Sequence, residues 1–171
     1  MPLIVTPGAA DADSYVSLVD AAAFHTARGN ATWTGTDALK EAALRRATAW
    51  LDGRYRNRWP GIRLYARAQA LDWPRTGAQD REGNYITATT IPAEVVNATC
   101  EAALRELVTP GSLSPDVTPG TIKVLTAVDS LQWTPLRSSA DASDMAPTLL
   151  AVDRALSGII GSGASVSLVR A

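Results

Sequence analysis

The 171-residue sequence holds one cysteine, one histidine and one phenylalanine, and the first two scarcities each remove a class of function. A lone Cys100 allows neither an internal disulfide nor a multi-thiolate zinc site, so a reducing cytoplasm suits the chain. The single imidazole, His25, sits in an apolar stretch without a paired histidine, which argues against zinc and against Ser/His/Asp or Cys/His hydrolysis. An excess of one charge is missing too. With 16 Lys+Arg against 17 Asp+Glu the net charge is −1, so no general nucleic-acid-binding surface is expected and any DNA contact must be local. No apolar run of about 18 residues occurs, and Met1-Pro2-Leu3-Ile4-Val5-Thr6 lacks a basic segment followed by a long apolar one. The expectation is a protein neither secreted nor membrane-bound. Gly161-Ser162-Gly163 lacks the Lys-Ser/Thr of a phosphate-binding loop and follows a helical pattern, so it reads as a hinge. Asp11 and Asp13 stand alone near the start, and no catalytic, cofactor-binding or metal site is expected.

What is present is helical periodicity, in a chain long enough for one domain with its own core. Residues 1–13 are small and Pro/Gly-bearing, an extended arm. Ser17 with Asp20 resembles a capping box opening a helix to Arg28, apolar on nearly every side and therefore expected at the centre, with Gly29 ending it. Leu39, Ala42, Ala43, Ala47, Trp50 and Leu51 recur at spacings of three and four from Asp37 to about Gly53, with Arg46 inside the same stripe. Arg46 therefore needs water, a carboxylate or a neighbouring subunit. Residues 54–91, with Pro60, Pro74, Gly61, Gly77 and Gly83, predict a long ordered excursion with little regular structure. After Pro92, Val95, Val96, Thr99, Ala103 and Leu107 form a third helical stripe ending near Pro110-Gly111; Cys100 borders it as a packed thiol and Leu104 lies off its centre. Alternation from Ile122 to Val128 predicts a strand, and 134–144 a loop. Asp144 then opens a fourth helix with Met145, Leu149, Val152, Leu156, Ile159 and Ile160 on one face, and residues 164–170 form a strand-like tail. The fold class is mainly α: about four helices in a compact bundle, a long loop between the second and third, and a minor β element with an extended tail in the last third. The division is an arm at 1–13, a helical core at 14–110 and a C-terminal strand, helix and tail at 111–171.

Charge is unevenly placed. Residues 37–81 hold ten bases (Lys40, Arg45, Arg46, Arg54, Arg56, Arg58, Arg63, Arg67, Arg75, Arg81) and five acids (Asp37, Glu41, Asp52, Asp72, Asp80), a local +5, leaving six bases and twelve acids elsewhere. Arginines interleaved with Tyr55, Trp59, Tyr65 and Trp73 suit a single-stranded nucleic-acid platform, a protein interface, or a merely solvated loop.

The order of signals is itself distinctive: Ser14-Tyr15-Val16-Ser17, a lone Trp33, Lys40-Glu41-Ala42-Ala43-Leu44-Arg45-Arg46-Ala47-Thr48, Leu51-Asp52, Trp59-Pro60-Gly61, Gln69-Ala70-Leu71-Asp72-Trp73-Pro74-Arg75, Ile91-Pro92-Ala93-Glu94-Val95 and Ala98-Thr99-Cys100-Glu101-Ala102-Ala103-Leu104. Over residues 14–108 the set resembles the head-tail connector (adaptor) proteins of long-tailed bacteriophages, a family often labelled DnaT-like single-stranded-DNA-binding protein. The resemblance implies a structural virion protein in the neck between capsid and tail, assembled from the host cytoplasm. It would form a ring homo-oligomer of about twelve subunits under the portal protein. Double-stranded DNA would pass through the lumen without sequence specificity, and the next neck or tail protein, a stopper or tail terminator, would dock below. Within that frame the candidate interface residues are Arg46, Trp59, Trp73, Pro74, Arg75, Leu104, Val166 and Leu168, and the candidate DNA-channel residues are Arg54, Arg56, Arg58 and Arg63. The arm and residues 161–171 would dock on partners, while Trp73 either anchors a neighbour or fills the gap between the second and third helices. No cofactor, membrane or enzymatic turnover is implied.

The alternative is a single-stranded-DNA-binding protein of a replication primosome. The two differ in salt response: a strand binder loses affinity steeply as salt rises, whereas a connector assembles on portal with negligible strand affinity, which a titration on single-stranded DNA beside a mass measurement with portal separates.

Overall fold

The computed structural model describes residues 2–116 and 148–161, together with the backbone of 123–127 and 132–135. Four α-helices and two small antiparallel ladders make up the described fold. Helix α1 (Leu18–Ala27) opens as its sequence dictates: Ser17 Oγ accepts from the Asp20 amide at 3.1 Å and donates to the Asp20 carboxylate at 2.6 Å. It ends where Gly29 takes φ +66°, a conformation glycine adopts without strain. Its uniform hydrophobicity does not put it at the centre. Only Ala21 and His25 are buried and Val19 is 77% exposed, because α1 lies along one side of the bundle and its small residues demand little cover.

Helix α2 (Asp37–Tyr55) is capped by Thr36, and α3 (Ala93–Val108) starts directly after Pro92, whose missing amide costs nothing at a helix start. These two helices make the principal packing; α4 (Leu150–Leu156) packs on α3, and α1 touches both α2 and α3. The buried face of α2 runs through Ala43, Leu44, Ala47, Thr48, Leu51, Asp52 and Tyr55, rotated from the expected stripe, so that Leu39 is exposed and Arg46 sits at the edge. Periodicity alone misplaced the face because Leu44, Thr48 and Asp52 share one line that includes two polar residues, both turned to the core. Arg46 meets a carboxylate. Its Nε is 2.6 Å from Glu106 Oε1, and the buried Glu106 also accepts from the Gly111 and Leu113 amides at 2.7 and 3.4 Å, closing the end of α3. Cys100 is buried in α3 as expected, and burial pushes its thiol up to about 12. Leu104 is partly buried against the core.

The chain ahead of α1 is not a free arm. Asp13 accepts from the Ile4 amide at 2.8 Å and from Arg45 Nε at 2.6 Å, Arg45 also reaches the Pro2 carbonyl at 3.1 Å, and Ala12 is buried. Asp13, read as solitary in sequence, is thus the tie between the arm and α2. The fourth helix is shorter than expected, though Val152, Leu156, Ile159 and Ile160 are buried as its periodicity requires; Asp144 and Met145 lie outside the described residues. The alternating segment forms β3 (Lys123–Ala127), paired antiparallel with β4 (Gln132–Pro135), a partner not anticipated because it is four residues long and ends in proline. The tail at 164–170, with Val166 and Leu168, lies outside the described residues.

Between α2 and α3 the excursion is irregular, as expected, but pinned. A 3₁₀ turn at Arg56–Arg58 leads to β1 (Ile62–Arg63), which pairs with β2 (Arg75–Thr76) in the register Ile62 with Thr76 and Arg63 with Arg75. Gly61, at φ +65°, brings its α-carbon so close to the Thr76 carbonyl and Ala78 backbone that a β-carbon has no room. Two substitutions check this packing in urea unfolding. Gly61→Ala is expected to lose about 2–4 kcal/mol through backbone strain and overlap, and Leu51→Ala, in the fully buried centre of α2, about 2–5 kcal/mol.

Candidate nucleic-acid interface

The excursion folds around one hydroxyl. Tyr15, 4% exposed, donates to Asp52 Oδ1 of α2, while its oxygen accepts from the Asp72 and Trp73 amides at 3.1 and 3.2 Å. Asp52 Oδ2 accepts a second bond from the Asp72 amide at 3.0 Å. Two consecutive backbone donors of an irregular segment are thereby satisfied by side chains from elsewhere, which is what a buried loop requires. Burial pushes the Asp52 carboxyl up to about 6 against the opposing pull of the Tyr15 hydroxyl, and burial beside Asp52 raises the Tyr15 phenol well above its ordinary value.

The Gln69-to-Arg75 segment is fixed from within. Gln69 is buried, donates to the Leu71 and Pro74 carbonyls at 2.7 and 3.1 Å and accepts from the Tyr65 amide at 2.9 Å. The Trp73-Pro74 peptide is cis. Arg75 places its guanidinium on three carbonyls: Pro60 at 2.6 Å, Gly61 at 2.7 Å and Asp72 at 3.2 Å. Trp59 and Trp73 meet edge to face with centroids 5.8 Å apart and belong to the core. Trp59, Trp73, Pro74 and Arg75, expected at a subunit boundary, are therefore buried and make their contacts inside the chain. Of the two roles open to Trp73-Pro74, anchor or plug, burial fits the plug, and with Arg75 these residues brace the loop.

Outward from this buried frame the surface is cationic. Residues 54–79 contain Arg54, Arg56, Arg58, Arg63, Arg67 and Arg75 and a single acid, Asp72, which is 2% exposed. Arg56 and Arg63 both pair with Asp72, at 3.3 and 2.8 Å. Arg54 stands over the Trp50 and Tyr55 rings at 5.6 and 5.9 Å, and Arg58 over Tyr55 at 5.5 Å. Among the described residues neither Arg54, Arg58 nor Arg67 has a carboxylate partner. Ile62 and Tyr65 are exposed on the same excursion, at 69% and 53%. Sequence reading found the arginines of this surface but passed over Tyr15, Asp52 and Asp72 as a unit, since nothing in their spacing relates positions so far apart.

No group of three or more His, Cys, Asp or Glu able to hold a metal occurs among the described residues, and none of their helices is long and apolar enough to cross a membrane. His25 packs against Trp33 at 4.2 Å with Asn30 Nδ2 3.1 Å from its Nδ1, and burial lowers its pKa to about 4.

The mainly helical chain, with a braced cationic excursion, matches over its whole length, residues 1–171, the family described as "Putative DnaT-like ssDNA binding protein". The chain belongs to that family. No curated protein and no solved structure matches it.

Tyr15→Phe leaves Asp52 Oδ1 without its donor and the Trp73 amide without an acceptor, while the Asp72 amide keeps Asp52 Oδ2, so a loss of about 1–3 kcal/mol is expected in denaturant unfolding. Asp52 also predicts a pH signature. Its folded value lies above the ordinary carboxylate value, so the folded state binds the proton more tightly, and this group's contribution is full below about pH 4 and lost as pH rises through about 6. The stability of the wild type minus that of Asp52→Asn should therefore fall between about pH 4 and 7; a difference that rises over that window would contradict the assignment.

Proposed function

We propose that the chain is a single-stranded-DNA-binding protein that holds the strand on the outer face of the excursion between α2 and α3, without sequence preference and without turnover. The observation that carries this reading is the segregation of charge: between residues 54 and 79, Arg54, Arg56, Arg58, Arg63 and Arg67 reach solvent while the one carboxylate of that stretch, Asp72, is buried. Phosphates meet Arg54, Arg56, Arg58, Arg63 and Arg67, while the half-exposed Tyr65 offers a ring for a base to stack on. The family description points the same way. A net charge of −1 does not oppose it, because the positive charge is local and the compensating acids lie elsewhere on the chain.

A second reading, a connector subunit that forms a ring beneath a phage portal and passes double-stranded DNA, rests on the resemblance of residues 14–108. Exposed Val19, Leu39, Val108 and Leu150, apolar side chains on four different helices or their ends, give it surface for subunit contacts. In that assembly the same arginines would line the channel, and the location would be the virion neck. The residues that carry the resemblance, above all Gln69 to Arg75, are those that brace the excursion, so they speak for a shared fold more than for a shared partner.

Fluorescence anisotropy on a labelled oligothymidine of about 20 nucleotides, with duplex of equal length as competitor, tests the choice. Strand binding that weakens steeply between about 50 and 200 mM salt and is reduced several-fold by Arg67→Gln supports the first reading. No strand affinity, with rings or portal-bound complexes by mass measurement, establishes the second.

A further inference from the structure

Asp72 is the one carboxylate among the arginines of residues 54–79, and its placement is unusual for a neutralising residue. Its backbone amide is held by both Tyr15 and Asp52, and its two carboxylate oxygens are divided between two arginines: Oδ1 takes Arg63 Nε and Nη2, both at 2.8 Å, and Oδ2 takes Arg56 Nε at 3.3 Å. Asp72 is 2% exposed, whereas the Arg56 side chain is 60% and the Arg63 side chain 26% exposed. Each guanidinium has five N–H donors. For Arg56, both terminal amino groups remain without an acceptor among the described residues; for Arg63, Nη1 does.

We infer that Asp72 is a positioning residue that sets Arg56 and Arg63 side by side as a preorganised clamp for one phosphodiester of the bound strand. This deepens the single-stranded-DNA reading and rests on it. Two cations on one anion leave the clamp with one positive charge before the ligand arrives. A phosphodiester presents two non-bridging oxygens, the acceptor geometry that a guanidinium fork matches. A free surface arginine must give up rotamer freedom to bind phosphate; Arg56 and Arg63 have given it up already, to a carboxylate that is itself fixed through its backbone to α2 and Tyr15. Arg67, with no carboxylate partner among the described residues, provides the contrast: it contributes charge without preset geometry.

Asp72→Asn separates positioning from charge because the two predict opposite signs. Removing a negative charge next to a DNA site tightens binding if only net charge matters. If Asp72 positions the arginines, affinity for the labelled oligothymidine falls about tenfold despite the more positive protein. The salt slope should shrink by about 0.7, one phosphate contact on a single strand. Circular-dichroism melting establishes that the variant is folded. The charge-conserving pair Arg56→Lys with Arg63→Lys, on side chains partly in water, gives an independent measure: the planar forks are lost at unchanged net charge, and a similar fall is expected. Affinity unchanged or increased in both variants overturns the clamp while leaving strand binding intact; wild-type protein with no strand affinity overturns the binding reading and the clamp together.

Discussion

The hydroxyl of Tyr15 is the point on which the arrangement turns. A 37-residue stretch with only a few residues of regular structure, between α2 and α3, must find partners for its backbone polar groups, and most such segments find them in water. Here the chain just before α1 supplies a phenol, α2 supplies a carboxylate, and together they take the amides of residues 72 and 73. The segment before α1, the second helix and the excursion become one unit through four polar groups. Trp73 can then be buried, and the arginines that precede it are displayed from a fixed base.

Two kinds of charge handling coexist in the molecule. Glu106 and Asp13 are buried or half-buried acids that each take one arginine and also accept backbone amides, which makes them joints of the fold. Asp72 differs in having more cation than it can neutralise. The same physics, a carboxylate satisfied in low dielectric by guanidinium and amide, yields a structural tie in the first two cases and a surplus of oriented positive charge in the third.

The helical part of the fold was legible in the sequence because it is local. Ser17 and Asp20, Pro92, and the spacing of Val152, Leu156, Ile159 and Ile160 all act within a turn or two of themselves. What was not legible depends on residues brought together over distance. Tyr15 to Asp52 and Asp52 to Asp72 span 37 and 20 positions, and no periodicity announces them. The error over the buried face of α2 has the same source: Thr48 and Asp52 look polar and outward by composition, yet they face the core, Asp52 because its partners wait there. The arginines of the candidate site were found by composition alone, but composition could not say that Arg75 turns inward to carbonyls while Arg56 and Arg63 share an acid.

The aromatic packing also decides how the molecule will look to light. Trp33, Trp59 and Trp73 are buried, and their indole nitrogens have no hydrogen-bond partner among the described residues, so these rings sit in apolar surroundings remote from solvent relaxation. Trp50 is different, half-covered and with the Arg54 guanidinium 5.6 Å from its ring. Among the described residues, intrinsic emission is consequently a composite in which three indoles report the integrity of the interior, and Trp50 at the edge of the cationic surface is the natural optical sensor for whatever settles there.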